Sequence, residues 1–175
     1  MYKKFSNESD INEIIGFLDK EYQKFENKTI LLTGGRGFLG RYFTEYFLEL
    51  NKRLKVPIFL TVLDNLAVSG IFGKDIPINK NFKFLNIDAS KQFELSKKVD
   101  YFIHAAGIAS PYYYRKHPLE TLDVAINGVR NILEMAKINS AKVIFFSSSE
   151  IYGDPNPNKV PTKETYRGNV STAGP

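Results

Sequence analysis

The sequence predicts an α/β fold, a doubly wound parallel sheet of about five strands in the order 3-2-1-4-5. Short apolar runs alternate along the chain with stretches of helical periodicity, and a glycine-rich turn joins the first run to a helix. Strands this apolar are typical of parallel sheets, which are buried on both faces. Alternation with helices implies right-handed crossovers, and these place helices on both sides of the sheet.

The apolar runs predict five strands, at residues 29–33, 58–63, 82–87, 99–104 and 142–147. Helical spacing predicts two long helices, at 38–51 and 118–138. From Gly153 onward the chain is polar and irregular, with prolines at 155, 157 and 161. We therefore expect the regular structure to end with the fifth strand.

An amphipathic helix precedes the first strand. Its apolar residues recur at helical spacing, and they are Ile11, Ile14, Ile15, Leu18, Tyr22 and Phe25. Ser9 or Asp10 is predicted to cap its start. Packing of the apolar stripe on the domain is favoured over contact with a partner. We divide the chain into an N-terminal helical extension, residues 1–27, and one domain, residues 28–175.

The composition excludes several kinds of site. The 175-residue chain is 43% hydrophobic, which suffices for a core. It has no cysteine, so disulfides, thiolate metal ligands and a cysteine nucleophile are excluded. With only His104 and His117, we expect no imidazole-rich metal site.

The net charge of +5 is spread over scattered lysines and arginines. Such a pattern favours a solvated basic surface over a nucleic-acid-binding groove. No apolar run approaches the length of a membrane span, and the N-terminus is polar where a signal peptide would be apolar. We expect a cytoplasmic protein without a nucleic-acid or membrane partner.

The glycine-rich turn predicts a dinucleotide site of the Rossmann type. Gly34, Gly37 and Gly40 have the spacing G-x-x-G-x-x-G between a predicted strand and a predicted helix. Glycines there allow a tight turn, close approach of the backbone to a pyrophosphate, and close packing of helix on strand. The helix begins with Phe38 and Leu39, and its free N–H groups and positive dipole end would face the phosphates.

The end of the second strand predicts the choice of cofactor. Asp64 stands 24 residues after Gly40, followed by Asn65. A carboxylate there can accept hydrogen bonds from both adenosine ribose hydroxyls and would repel a 2′-phosphate. Arg36 leaves an alternative open, because a guanidinium in the turn could meet that phosphate. NAD is favoured over NADP.

The run at 33–40 resembles the opening of the NAD-dependent epimerase/dehydratase family, the extended short-chain dehydrogenases. Further similarities follow in the family's order, and the resemblance extends over residues 28–175. Asp88 matches an aspartate near the adenine, and Ala105 and Ala106 lie in a His-Ala-Ala-Gly run that resembles a loop lining the cofactor. Residues 146–155 resemble the catalytic strand end and the segment after it.

Within this family the sequence is most similar to the UDP-glucuronate decarboxylases. The shared segments are Ala-Ser-Pro-x-x-Tyr at 109–114, Ser-Glu-x-Tyr-Gly-Asp-Pro at 149–155, and the tail at 166–175. The resemblance implies four substrate contacts, namely Ser110, Pro111, Tyr114 and Ser149. Related sugar 4,6-dehydratases carry an acidic aspartate at the position of Ser149. A serine is a poor acid, so dehydration is the weaker interpretation.

The resemblance also implies the chemistry, which is oxidation of a UDP-sugar at C4, loss of carbon dioxide and re-reduction. Ser148 would hydrogen-bond the reacting oxygen, and Glu150 would act beside C5 as a base or electrostatic element. Alternatives are a nucleotide-sugar 4-epimerase, a 4,6-dehydratase, or a non-catalytic dinucleotide-binding module. The helix at 118–138 resembles one in the relatives' dimer bundle, so a homodimer is expected, although its apolar residues could equally be core.

Two features depart from the family pattern. Ala125 stands where relatives carry an asparagine, three residues before Gly128. The family's Tyr-x-x-x-Lys pair is expected about four residues beyond Pro175, so the chain as given is not expected to complete the oxidation. We interpret the tyrosines at 112–114 as loop aromatics.

Overall fold

A computed structural model describes residues 5–68 and 75–171. Five parallel strands form one sheet in the order β3-β2-β1-β4-β5. They are β1 (Thr29–Thr33), β2 (Phe59–Leu63), β3 (Phe82–Leu85), β4 (Tyr101–His104) and β5 (Lys142–Phe145). The predicted fold class and strand order are confirmed.

The α-helices are α1 (Glu8–Phe17), α2 (Phe38–Leu50), α3 (Pro111–Lys116), α4 (Pro118–Asp123) and α5 (Val129–Asn139). Short 3-10 helices lie at Asp19–Phe25, Ser149–Tyr152 and Pro157–Lys159. In the described ranges, which omit 1–4, 69–74 and 172–175, no helix is long and apolar enough to span a membrane.

Two apolar clusters cover the two faces of the sheet. On β1, Ile30 and Leu32 belong to one cluster and Leu31 to the other, as the period-2 alternation of a strand requires. The first cluster includes Phe47 of α2, and the second includes Ile132 of α5. The central strands β1, β2 and β4 are therefore buried between helices, whereas β5 at one edge of the sheet is mostly exposed.

The N-terminal extension belongs to the first cluster, since Ile11 and Ile15 are buried there. The interpretation that its apolar stripe packs on the domain is confirmed. The prediction of one continuous helix is wrong, because α1 ends at Phe17 and a 3-10 helix begins at Asp19, which has a φ of 43°. The predicted caps are also wrong, because Asn7 precedes the first turn and its backbone carbonyl accepts the N–H of Asp10.

The predicted helix at 118–138 contains a π-helical turn, Val124–Gly128, between α4 and α5. Gly128 is buried there, and a Cβ on it would lie 3.5 Å from Cε1 of His104. The interpretation of 112–114 as a loop is wrong. These tyrosines lie in α3, which begins at Pro111 because proline suits the first turn of a helix.

The chain forms two compact units, one ending at Phe145 and the other beginning at Phe146. The first contains the whole sheet, and the second contains the segment that resembles the catalytic strand end. The predicted boundary between residues 27 and 28 stays a prediction.

Candidate dinucleotide site and the segment after β5

The glycine-rich turn is packed backbone against backbone. A Cβ on Gly40 would lie 2.1 Å from the carbonyl oxygen of Gly34, well inside van der Waals contact. Gly34 has a φ of 69°, and a Cβ there would lie 2.6 Å from the carbonyl oxygen of Ala105. The turn therefore brings the start of α2 and the loop after β4 together, as a site for a pyrophosphate requires.

A cleft of about 330 Å³ opens beside this turn, at the carboxyl ends of the parallel strands. Seven predicted cofactor residues line it, namely Gly34, Gly37, Asp64, Asn65, Asp88, Ala105 and Ala106. Phe38, Leu39 and Gly40 do not line it and form the first turn of α2. The glycine cradle and the cleft fit a dinucleotide, with the N–H groups of α2 available for its phosphates.

Asp64 is held at the end of β2 by two backbone donors. The N–H of Arg36 donates to its Oδ2, and the N–H of Leu66 donates to its Oδ1, both at 2.8 Å. Each carboxylate oxygen has a second lone pair, which remains for a ribose hydroxyl. The carboxylate is thus preorganised for the predicted contact.

Asp88 is fixed at the other side of the cleft. Its Oδ1 accepts the N–H and the hydroxyl of Ser90 at 2.9 and 2.7 Å, and its Oδ2 accepts Nδ2 of Asn65 at 3.3 Å. Burial raises the pKa of Asp88, but these hydrogen bonds and the nearby charge of Lys91 outweigh it, so the pKa lies below its ordinary value. A charged Asp88 therefore orients Asn65 in the cleft.

A buried polar pair, which the sequence analysis missed, lies at the carboxyl ends of β1 and β4, where the loop with Ala105 and Ala106 begins. Oγ1 of Thr33 and Nδ1 of His104 are 2.7 Å apart, and the same hydroxyl accepts the N–H of Ala106 at 3.2 Å. The imidazole stacks on Phe145. Burial lowers the pKa of His104, which is therefore neutral at pH 7. The sequence did carry a signal for this pair, because each of the two apolar strands ends in a polar residue.

His104 predicts a pH dependence of stability. Because its pKa is lowered in the folded chain, the unfolded chain binds the proton more readily, and the free energy of unfolding falls as the pH drops below about 6.5. Above that value His104 does not change the free energy of unfolding with pH. Urea unfolding between about pH 6.5 and 5 measures it.

The matched variants are His104→Gln and His117→Gln. His104→Gln should reduce the fall in the free energy of unfolding between about pH 6.5 and 5. His117→Gln, at a half-exposed position, should not change it. An unchanged slope in His104→Gln would show that another group titrates.

Two other features were missed. His117 and Glu120 line the cleft, with Nδ1 and Oε1 3.8 Å apart. Tyr112 also has a lysine four residues on, Lys116, whose Nζ lies 5.9 Å from the ring centroid. Simple counting would have found this Tyr-x-x-x-Lys spacing. However, Tyr112 is exposed and does not line the cleft, so the spacing alone assigns it no role.

The segment after β5 is held by its own backbone. Ser148 precedes the 3-10 helix, and its Oγ accepts the N–H of Glu150 at 3.3 Å. Gly153 pairs with Asn169, whose Nδ2 donates to the carbonyl of Asp154 at 3.0 Å. Residues 172–175 of the similar tail lie outside the described residues.

The substrate and catalytic residues remain predictions. Ser110 precedes α3, Pro111 begins it, and Tyr114 is partly exposed near its end, and none of the three lines the cleft. Ser148, Ser149 and Glu150 belong to the second compact unit, where all three are exposed.

The fold and the cleft together define a dinucleotide-binding Rossmann domain. A model of the NAD dependent epimerase/dehydratase family matches residues 30–175. The chain therefore belongs to the NAD-dependent epimerase/dehydratase family. This confirms the resemblance and the prediction that NAD is the cofactor.

Curated relatives include UDP-glucuronic acid decarboxylase 1 of Danio rerio, 34% identical over 151 residues, which are 86% of this chain and 34% of the relative. UDP-glucuronic acid decarboxylase 6 of Arabidopsis thaliana is 32% identical over 152 residues, which are 85% of this chain and 41% of the relative. The chain thus spans between a third and a half of the length of these relatives.

Solved structures give the same picture. Epimerase Mth375 from Methanothermobacter thermautotrophicus has a TM-score of 0.72 at 25% identity, covering 89% of this chain and 45% of that one. The UDP-N-acetylglucosamine 4-epimerase of Methanobrevibacter ruminantium M1, in complex with UDP-N-acetylmuramic acid, has a TM-score of 0.64 at 28% identity. That alignment covers 83% of this chain and 45% of the epimerase.

Substitution of Asp64 should change the preference between cofactors. Asp64→Asn is expected to weaken NAD binding about tenfold, because an amide accepts fewer hydrogen bonds from the ribose. NADP should lose less, because the charge that repels a 2′-phosphate is gone. Calorimetric titration with both cofactors measures the two affinities.

Asp19→Asn is the matched control, since Asp19 is exposed in the N-terminal extension. Wild-type affinities for both cofactors in Asp64→Asn would contradict the assigned contact.

Proposed function

We propose that this chain is the NAD-binding portion of a nucleotide-sugar-modifying enzyme most like UDP-glucuronate decarboxylase. The observation that carries the proposal is the cleft beside the glycine-rich turn, with Asp64 fixed at its edge. The segments shared with the decarboxylases, at 109–114 and 149–155, support this particular reaction. The curated relatives of that name support it as well.

The residues of the cleft bind and orient the cofactor in this proposal. The N–H groups at the start of α2 receive the pyrophosphate, and Asp64 accepts the adenosine ribose hydroxyls. The loop at Ala105 and Ala106 is held by Thr33 and contacts the other half of the dinucleotide. Bound NAD supplies the acceptor and donor of hydride for the sugar.

Ser148 and Glu150 act on the sugar in this proposal. The Ser148 hydroxyl accepts a backbone N–H from Glu150, which leaves its own proton to donate to the reacting oxygen. Glu150 has an exposed side chain that serves as the base or electrostatic element at C5. Ser149 contacts the substrate and, having no acidic proton near neutral pH, does not drive dehydration.

A homodimer is proposed through the helical stretch at 118–138. Leu119, Leu122, Ile126 and Leu133 are exposed along it, while Ile132 is buried in the core. The two groups divide the apolar residues between an outer face and an inner one. The outer face supports the expected contact between copies.

The test begins with the coding sequence downstream of the Pro175 codon. A Tyr-x-x-x-Lys pair within a few codons should accompany conversion of UDP-glucuronate to a UDP-pentose and carbon dioxide, measured with NAD present. A stop codon directly after Pro175 would overturn the enzyme proposal and favour a non-catalytic dinucleotide-binding module. Epimerised or dehydrated UDP-sugar without carbon dioxide would favour the 4-epimerase or the 4,6-dehydratase.

Variants then test the two proposed catalytic residues. Ser148→Ala and Glu150→Gln should each lower turnover at least about a hundredfold without changing NAD affinity. Glu164→Gln, at an exposed position in the same compact unit, is the matched control. Full turnover in Glu150→Gln would remove Glu150 from the reaction.

A further inference from the structure

Arg36 is a buried cation in the middle of the glycine-rich turn. Its exposed fraction is 1%, although arginine is almost never fully buried unless it is paired. Its backbone N–H donates to Oδ2 of Asp64 at 2.8 Å. Its guanidinium Nη2 donates to the backbone carbonyl of Asp75.

These two hydrogen bonds connect three parts of the chain at one residue. Arg36 lies in the turn, Asp64 follows β2, and Asp75 lies on the chain that leads to β3. The residues after Asp64 form one wall of the cleft, including Asn65 and Val68. The hydrogen bonds of Arg36 therefore hold the glycine-rich turn, the Asp64 carboxylate and the segment before β3 in fixed positions relative to one another.

We propose that Arg36 is a positioning residue for NAD: its backbone N–H fixes Asp64, and its guanidinium joins the turn to the segment before β3 on the adenosine side of the cleft. Its side chain is buried and does not line the cleft. An arginine that recognises a 2′-phosphate must present its fork of N–H groups to the ligand. Arg36 therefore supports NAD binding and gives NADP no compensating charge.

Affinities for the two cofactors test this role. Arg36→Ala should weaken NAD and NADP binding by the same factor, about tenfold or more, because the shared adenosine side loses its support. Arg36→Lys should recover part of the loss, since one ammonium donor can still reach a carbonyl. Titration calorimetry well below the unfolding temperature, with the folded fraction followed by circular dichroism, measures both.

Arg53→Ala is the matched control, because Arg53 is exposed and its guanidinium donates to Oδ1 of Asn12 at the surface. It should leave both affinities unchanged. A selective loss of NADP binding in Arg36→Ala would overturn the proposal and make Arg36 a 2′-phosphate ligand. Unchanged NAD affinity would overturn it as well.

If Arg36→Ala does not fold, Arg36→Lys decides the matter. Weakened NAD binding by a folded lysine variant supports the proposal, and wild-type binding contradicts it. The proposal concerns cofactor binding alone. Its outcome is therefore distinguishable from a failure of the proposed sugar chemistry, which is measured by turnover.

Discussion

Replacement of Gly40 with alanine is expected to abolish measurable NAD binding and to lower the free energy of unfolding by about 1–3 kcal/mol. The new Cβ would lie 2.1 Å from the Gly34 carbonyl oxygen and 2.5 Å from Cα of Gly35. Both contacts are with backbone, so no side-chain rotation relieves them. α2 must move away from the turn, and its N–H groups then lose the geometry that a pyrophosphate needs. Calorimetric titration with NAD and urea unfolding measure the two effects.

Gly16→Ala is the matched control, because it makes the same chemical change within α1. Apart from its chain neighbours and the adjacent backbone of α1, no atom lies within 4 Å of the added Cβ, and alanine favours a helix over glycine by roughly 0.5–1 kcal/mol. We expect slightly higher stability and unchanged NAD affinity. Wild-type NAD affinity in Gly40→Ala would mean that the close packing of the turn is not needed for binding.

Replacement of Glu45 with alanine is expected to detach the start of the N-terminal extension from α2. The buried carboxylate accepts the N–H of Phe5 at 2.6 Å, the N–H of Ser6 at 2.8 Å and the Ser6 hydroxyl. The Phe5 ring packs over the guanidinium of Arg41, whose Cζ lies 3.6 Å from the ring centroid. Without the carboxylate, three donors lose their acceptor, at a cost of about 2–3 kcal/mol.

Thermal unfolding measures this loss, which corresponds to a fall of about 5–10 °C in Tm for a chain of this size. Limited proteolysis should also cleave the Glu45→Ala variant near Phe5 faster than the wild type. Glu13→Ala removes an exposed carboxylate from α1 and should leave the Tm within about 1 °C. A wild-type Tm in Glu45→Ala would show that the extension is held by its apolar contacts alone.

The strands could be predicted because their apolar runs are bounded by turn residues. β1 has the predicted bounds, since Lys28 and Gly34 flank it. β4 was predicted two residues too long, because the ladder with β1 begins at the pair Ile30 and Tyr101. Asp100, just before the ladder, donates its backbone N–H to the carbonyl of Thr29 at 2.9 Å, and its side chain accepts the N–H of Thr29 at 2.8 Å. Hydropathy alone does not reveal where a hydrogen-bonded ladder starts.

The candidate site was predictable where its signals are local. The glycine spacing and Asp64 lie within one strand–turn–helix–strand unit, and both occur at the cleft as expected. The bond between Thr33 and His104 joins residues 71 positions apart, and the tie from Arg36 to Asp75 spans 39. Such contacts depend on the order of the strands. Residue type and spacing therefore could not specify them.

The π-helical turn before α5 changes how this stretch is to be compared with other chains. Such a turn adds one residue to a helix, which shifts the phase of everything before it by about 100° relative to a regular helix. Counting back from Gly128 by 3.6 residues per turn therefore misassigns the faces of α4. Deleting one residue between Val124 and Gly128 would restore the regular phase and turn His117 and Glu120 out of register with the cleft. Along this helix, a change of length is a larger perturbation than a change of side chain.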